Sequence, residues 1–152
     1  MRQTGRPLGL HLALASKAVS RAFNETLAEA GGSLPSWLIL NALSDGACRA
    51  QRDIAQAIGI QGPTLTAHLD NLERVGLVTR SRDRDDRRNI QVELTDSGTE
   101  AHRRLLQAVI AFNRRLRNGL SADDVANLTA LLSRLQANLA TREPEDTRAT
   151  TP

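Results

Sequence analysis

Three features of the sequence indicate a mainly α-helical chain with one small β-hairpin. Long stretches repeat apolar residues every three or four positions, which is the spacing of an amphipathic helix. One short stretch alternates apolar and polar residues as a half-buried strand does. A small residue within one helix and a glycine just after it have the spacing that is typical of two helices joined by a tight turn. The chain has 152 residues, enough for one core, so we expect a single domain over residues 1–152.

The composition predicts a soluble, cytoplasmic protein. Hydrophobic residues make up 40% and charged residues 24% of the chain, and no apolar run approaches the roughly 18 residues of a membrane span. The first seven residues lack the features of a secretory signal. The single cysteine, Cys48, excludes an internal disulfide and fits a reducing compartment. Cys48 is interpreted as a small residue in a turn, with an oxidation sensor as the alternative.

Two helices are predicted at the start of the chain. Apolar residues from Leu8 to Ala30 form one stripe, and a Gly-Gly pair ends that helix. Ser33 begins a second helix with Pro35 in its first turn, and Asp45-Gly46 ends it. The two helices are expected to form a hairpin.

The next two helices are predicted to form a helix-turn-helix. A short helix over 50–58 is followed by Gly59 as a cap, and Gln61-Gly62-Pro63 opens a helix that reaches Val75. Ala55 is small enough for the two helices to cross there, and a glycine accommodates positive φ at the turn. Two unrelated core helices joined by a short turn are the alternative.

A highly charged run follows, and it lies between two predicted strands. Residues 77–80 form the first strand, and residues 90–94 alternate apolar and polar side chains. The run over 80–88 holds five arginines and three aspartates. A hairpin directly after a helix-turn-helix is a wing, so the run becomes its tip, with a plain solvated surface as the alternative. A winged helix-turn-helix is therefore predicted over about 34–95.

Two more amphipathic helices complete the chain. Thr95 caps the first, which runs to about Asn118, and Ser121 with Asp124 begins the second, which ends near residue 140. A winged helix-turn-helix can form without either of these two helices. Residues 141–152 are polar and aperiodic, which predicts a disordered tail.

With this order of elements, the sequence resembles the MarR family of bacterial regulators (multiple antibiotic resistance regulator type) over about residues 8–140. The wing matches the family signature at Asp83, Asp86, Arg87, Arg88, Val92, Leu94, Thr95 and Gly98. The helix-turn-helix agrees at Asp53, Ile54, Ala55, Ile60, Pro63, Thr64, Thr66, Asp70, Asn71, Leu72, Glu73, Gly76, Leu77 and Val78.

The resemblance implies a homodimer that regulates transcription, in the manner of a repressor. Helices over about 8–30 and 96–140 would interlock two chains and account for the surplus apolar stripes. The dimer would bind double-stranded DNA at a pseudo-palindromic operator, with the recognition helix in the major groove and the wing in the minor groove. A small phenolic or lipophilic ligand between the dimerisation and DNA-binding parts would release the DNA.

Residue by residue, the resemblance makes Arg88 the wing-tip arginine of the minor groove and Asp86 the carboxylate that orients it. Phosphate contacts are expected from Arg84 and Arg87, and lower on the wing from Arg80 and Arg82. His68 either binds DNA or packs on its own helix. Candidates on the first turns of the recognition helix are Gln61, Gly62, Pro63, Thr64, Thr66, Ala67 and His68. Because Ala67 stands where many relatives carry a long polar side chain, we expect few direct hydrogen bonds to bases.

The resemblance also suggests a ligand pocket with His11, Trp37, Leu40 and Asn41 as candidates. The alternative for Trp37 is a core position, because a single tryptophan on an apolar helix face more often packs in the core. The sequence predicts no metal site and no cofactor, and it shows none of the glycine-rich or nucleophile motifs of enzymes. Two rival functions remain, a nonspecific architectural DNA binder and a winged-helix module for protein interaction.

Overall fold

The computed structural model describes residues 5–46, 49–83 and 88–140. The element order predicted from the sequence is confirmed, as helix, helix, helix-turn-helix, hairpin and two further helices. No helix within these three ranges is both long and apolar enough to span a membrane. Cys48, the wing residues 84–87 and the expected tail at 141–152 lie outside the described residues. The elements are α1 (Leu8–Glu29), α2 (Leu34–Ser44), α3 (Gln51–Ile58), α4 (Gly62–Arg74), β1 (Val78–Arg82), β2 (Ile90–Leu94), α5 (Asp96–Leu116) and α6 (Ala122–Ala140).

The chain divides into two compact units, with the boundary at Asn113. The core lies in the first unit, where α1 to α5 and both strands contribute apolar side chains. Ile39, Ile54 and Val92 are among its fully buried members. The cluster consists of Leu27, Ile39, Leu40, Leu43, Ile54, Leu65, Leu69, Leu72, Val78, Val92, Ala101 and Leu105.

The second unit contains the end of α5 and the whole of α6. Ser121 and Asp124 form the predicted capping pair, because the Asp124 backbone N–H donates to the Ser121 hydroxyl and the Ser121 N–H donates to the Asp124 carboxylate at 2.8 Å. The hydrogen bonds from Ser121 lower the pKa of the Asp124 carboxyl. No residue of α6 is buried, and Leu128, Leu131 and Leu139 are more than half exposed.

The turn between α3 and α4 has the predicted form. Gly59 caps α3 with φ of 70°, the left-handed region that glycine adopts without a steric cost. The Ile60 N–H then donates to the Ala55 carbonyl at 3.1 Å. Pro63 lies in the first turn of α4, where its missing N–H costs no hydrogen bond.

The hairpin is antiparallel and joined to the body on one side. Val78 pairs with Leu94, Arg80 with Val92 and Arg82 with Ile90. On the other side of β2, Ala50 forms a bridge with Gln91, and the Val92 N–H donates to the Arg49 carbonyl at 2.8 Å. The segment before α3 therefore acts as a short third strand that holds the base of the hairpin.

The start of α5 packs closely against the turn after α4. The Thr95 hydroxyl donates to the Gly76 carbonyl and accepts from the Gly98 N–H, as predicted for a helix cap. The Thr95 N–H donates to the Leu77 carbonyl at 3.1 Å. A Cβ at Gly98 would overlap that carbonyl oxygen, so only glycine permits the contact.

Gly98→Ala should therefore destabilise the protein by about 1–3 kcal/mol, since the methyl group forces a backbone shift. Chemical denaturation measures this change. Gly62→Ala is the matched control, because a Cβ there has no neighbour within 4 Å, and its free energy of unfolding should stay near that of the unmodified chain. Equal stability of the two variants would contradict the close packing at Gly98.

Candidate nucleic-acid interface

The first turns of α4 present one face to solvent because the opposite face is buried. Leu65, Leu69 and Leu72 lie in the core, four and three residues apart, which places them on one side of the helix. Of the recognition-helix candidates, Gln61, Gly62, Pro63, Thr64 and Ala67 are exposed, and Thr66 and His68 are half-buried.

The Thr66 hydroxyl is engaged within the protein. It donates to the Gly62 carbonyl at 3.1 Å and accepts from the Gln51 side-chain amide at 2.8 Å. Gln51, the first residue of α3, was missed as a site residue from the sequence. The sequence feature that could have identified Gln51 is its position one helical turn before Ala55, which places both residues on the same face of α3 toward α4.

A crevice of about 390 Å³ joins the recognition helix to the wing. Arg88 reaches it from the end of the hairpin turn, and Arg52 reaches it from α3 with a side chain that is 78% exposed. The buried Gln51 Oε1 has no hydrogen-bond partner among the described residues. The crevice is lined by Gln51, Arg52, Ala55, Gly62, Thr66, Arg88, Asn89 and Ile90.

The described part of the wing is held by hydrogen bonds across the hairpin. The Asp83 N–H donates to the Asn89 carbonyl at 2.9 Å, and the Gln91 amide donates to the Asp83 carboxylate at 3.0 Å. Arg82 and Arg88 are exposed. The candidates Arg84, Asp86 and Arg87 lie outside the described residues.

Arg80 has two acidic neighbours on the recognition helix. Its Nη2 donates to Asp70 Oδ1 at 2.5 Å and to Glu73 Oε2 at 2.6 Å, and its Nε donates to the same Glu73 oxygen at 3.0 Å. The pKa of the Arg80 guanidinium is raised, chiefly by the hydrogen bond to Glu73, with burial opposing the shift and Asp70 adding to it. The guanidinium is therefore a fixed positive charge between two carboxylates.

The four ligand candidates occupy different surroundings. Trp37 stacks on His102, with ring centroids 5.5 Å apart and planes 2° from parallel, and Asn41 Oδ1 lies 3.2 Å from His102 Nε2. Leu40 is fully buried and packs in the core. His11 is exposed on α1, and within the described ranges no hydrogen bond or ring contact joins it to the others.

His102 thus belongs with Trp37 and Asn41, although the sequence did not single it out for a ligand site. Its signal was its place on α5 beside Ala101 and Leu105, whose buried side chains face the core. A separate crevice of about 350 Å³ contains none of the four ligand candidates. It is lined by Leu43, Ser44, Gly46, Arg49, Val92, Glu93, Leu94 and Thr99.

Comparison with known proteins gives both a family match and structural matches. The model of the MarR family matches residues 31–89, from the turn before α2 into the wing. A mutant MarR from E. coli in complex with operator DNA is 27% identical, and the match covers 85% of this chain and 93% of that one with a TM-score of 0.75.

Two further structures share the fold. The PcaV transcriptional regulator from Streptomyces coelicolor, in complex with its natural ligand, is 26% identical, with 91% and 100% of the two chains covered and a TM-score of 0.75. MepR from S. aureus in complex with DNA is 23% identical, with 88% and 99% covered and a TM-score of 0.78. The mainly helical fold with a hairpin wing is confirmed.

His102→Ala should alter the fluorescence of Trp37, the single tryptophan of the chain. Removing the stacked imidazole exposes one face of the indole, so the emission should shift to longer wavelength, with a loss of about 0.5–1.5 kcal/mol of stability. His68→Ala on α4 is the control and should leave the emission unchanged. Identical spectra for all three proteins would show that the stack is not formed in solution.

Proposed function

Since the chain belongs to the MarR family, we propose that it is a dimeric transcriptional regulator that binds specific double-stranded DNA sites. One observation carries the proposal. The exposed first turns of α4 and Arg88 of the wing border the same crevice, so a recognition helix and a cationic wing are presented side by side. This arrangement suits a helix in the major groove and an arginine in the adjacent minor groove.

The exposed side chains are suited to different kinds of DNA contact. Thr64 and Ala67 offer a hydroxyl and a methyl group for base edges, and a threonine or alanine methyl suits the methyl group of thymine. Thr66 serves mainly to hold α4 to α3, because its hydroxyl is already bonded to Gly62 and Gln51. Exposed Arg82 and Arg52 are suited to phosphate contacts.

The remaining wing roles stay as the resemblance implies them. Arg88 is proposed for the minor groove with Asp86 orienting it, and Arg84 and Arg87 for phosphates. His68 is half-buried, so a part of its ring is available to DNA.

Dimerisation is supported by apolar side chains left uncovered in the single chain. In the first unit, Leu8 of α1 is 65% exposed and Ile110 of α5 is 51% exposed, and in the second unit Leu131 is 53% exposed. Side chains of this size at helical spacing are stabilised when a second chain covers them. Folding and association are then coupled, and the two recognition helices of the dimer would read a pseudo-palindrome.

Release by a small ligand is part of the proposal. Trp37 and Asn41 on α2 and His102 on α5 provide two stacked rings and two polar groups that suit a phenolic or lipophilic molecule. The protein acts as a repressor if the bound dimer blocks transcription and the ligand releases the dimer from the DNA. Quenching of the Trp37 emission by added phenols, with loss of quenching in His102→Ala, tests the site.

Selection of bound sequences from random DNA should enrich a pseudo-palindrome with half-sites about one helical turn apart. Arg88→Ala should then weaken binding to the selected sequence by about 1.5–3 kcal/mol, the value of a charge-assisted hydrogen bond. Arg21→Ala removes the same charge from α1 and is the matched control. Enrichment of no sequence would favour the architectural binder, and no DNA retention would favour the protein-interaction module.

Thr64 and Thr66 should differ when each is replaced by alanine. Thr64→Ala should cost about 1–3 kcal/mol on the selected DNA if its hydroxyl reads a base, with little change on random DNA or in stability. Thr66→Ala should lower the stability of the free protein by about 1 kcal/mol through its lost hydrogen bonds. Parallel titrations and thermal unfolding separate the two effects, and unchanged stability of Thr66→Ala would argue against its bond to Gln51.

A further inference from the structure

Arg80 lies at the centre of β1, where it connects the wing to the recognition helix. Its side chain is 20% exposed, less than those of Asp70 and Glu73 beside it. The contact partners are seven and ten residues earlier in the chain, on the third and fourth turns of α4. The guanidinium therefore joins β1 to α4 through polar contacts, in addition to the burial of Val78 in the core.

A DNA phosphate would have to compete with these two carboxylates. The guanidinium already donates three hydrogen bonds of 2.5–3.0 Å to them, and charge-assisted bonds of this length are the stronger class. To reach a phosphate, Arg80 would leave two carboxylates unpaired beside a DNA-binding surface, where their charge repels the phosphate backbone. Moving the guanidinium to a phosphate is thus unfavourable, because hydrogen bonds are lost and because the unpaired carboxylates repel the DNA.

The residues before α3 hold the base of the hairpin through β2, and the Arg80 contact joins β1 to the recognition helix. Arg80 is paired with Val92 across the hairpin, and Arg82 is paired with Ile90, which borders the crevice with Arg88. A pivot of β1 on α4 would change the distance from Arg88 to Thr64 and Ala67. The two sets of DNA contacts would then no longer match the spacing of adjacent grooves.

We propose that Arg80 is a positioning residue that fixes the wing against the recognition helix through Asp70 and Glu73, and that it does not bind a phosphate. This revises the phosphate contact expected for Arg80 from the sequence, and it rests on the proposed DNA-binding function. The planar fork of arginine bridges two carboxylates at once, which the single ammonium of lysine does less well.

The test compares Arg80→Ala, the double variant Asp70→Ala/Glu73→Ala and the triple variant on the selected DNA at two salt concentrations. Electrostatics alone predicts tighter binding when two negative charges are removed, whereas a positioning role predicts weaker binding. We expect the double variant and Arg80→Ala each to bind roughly 2- to 100-fold more weakly, the range of coupling between contacting residues. Arg80→Ala should add little loss once the carboxylates are gone.

A phosphate contact gives the opposite pattern. The double variant would then bind more tightly through the freed guanidinium, and removal of Arg80 would cost as much in the double variant as in the unmodified chain. The magnitude of the salt slope would also fall by about one contact in both backgrounds. This result would overturn the proposal. Arg82→Ala, two residues along the same strand, is the matched control and is expected to show that slope change.

Hydrogen exchange of the hairpin amides provides a readout that needs no DNA. Arg80→Ala and the double variant should both speed exchange in β1 and β2, whereas Arg82→Ala should not, and exchange unchanged by all of them would overturn the proposal. If the unmodified protein binds no DNA, the proposed function fails while the exchange data still test the connection. Arg80→Lys, which keeps the charge, replaces Arg80→Ala should the latter not fold, with faster exchange again expected.

Discussion

The burial of one face of α4 is the constraint on which the rest of the candidate interface depends. Leu65, Leu69 and Leu72 occupy the core, so the rotation of the helix about its axis is set, and Thr64 and Ala67 face outward as a consequence.

Side chains at the edges of the buried stripe then fix the helix against its neighbours. Thr66 bonds to Gln51 of α3, and Asp70 with Glu73 binds Arg80 of β1. Hydrophobic burial thus sets the direction of the recognition face, and polar contacts set its position.

Local patterns in the sequence predicted much of this fold because they act over a few residues. A glycine at positive φ ends α3 at Gly59, Ser33 and Thr95 cap helices through their own hydroxyls, and the alternation in residues 90–94 gives a strand with Val92 inside. In each case the chemistry that decides the structure lies within one turn or one strand. The charged run between the strands likewise marked the hairpin, since such a run is disfavoured within a core.

Contacts between distant residues were not predictable in the same way. An arginine in a charged run is equally suited to a phosphate and a carboxylate, and only the fold brings Arg80 to two acids on α4. The stack of Trp37 on His102 joins α2 to α5, and the adjacent Asn41–His102 contact spans 61 residues. The amide of Gln51 meets Thr66 only because the turn at Gly59 brings α3 against α4. The residues that carry charge were recognised from composition, whereas their partners depend on tertiary packing.

The short bridge between Ala50 and Gln91 also bears on the solubility of the protein. A two-stranded hairpin ordinarily exposes two rows of unpaired backbone groups, and each is a template for a strand from another molecule. Here the residues before α3 pair with the middle of β2 on its open side, so among the described residues the outer edge of β1 is the longer edge without a strand partner. That edge is five residues long and carries Arg80 and Arg82. Short length and charge both discourage edge-to-edge pairing, so the hairpin projects from the body with little tendency to aggregate.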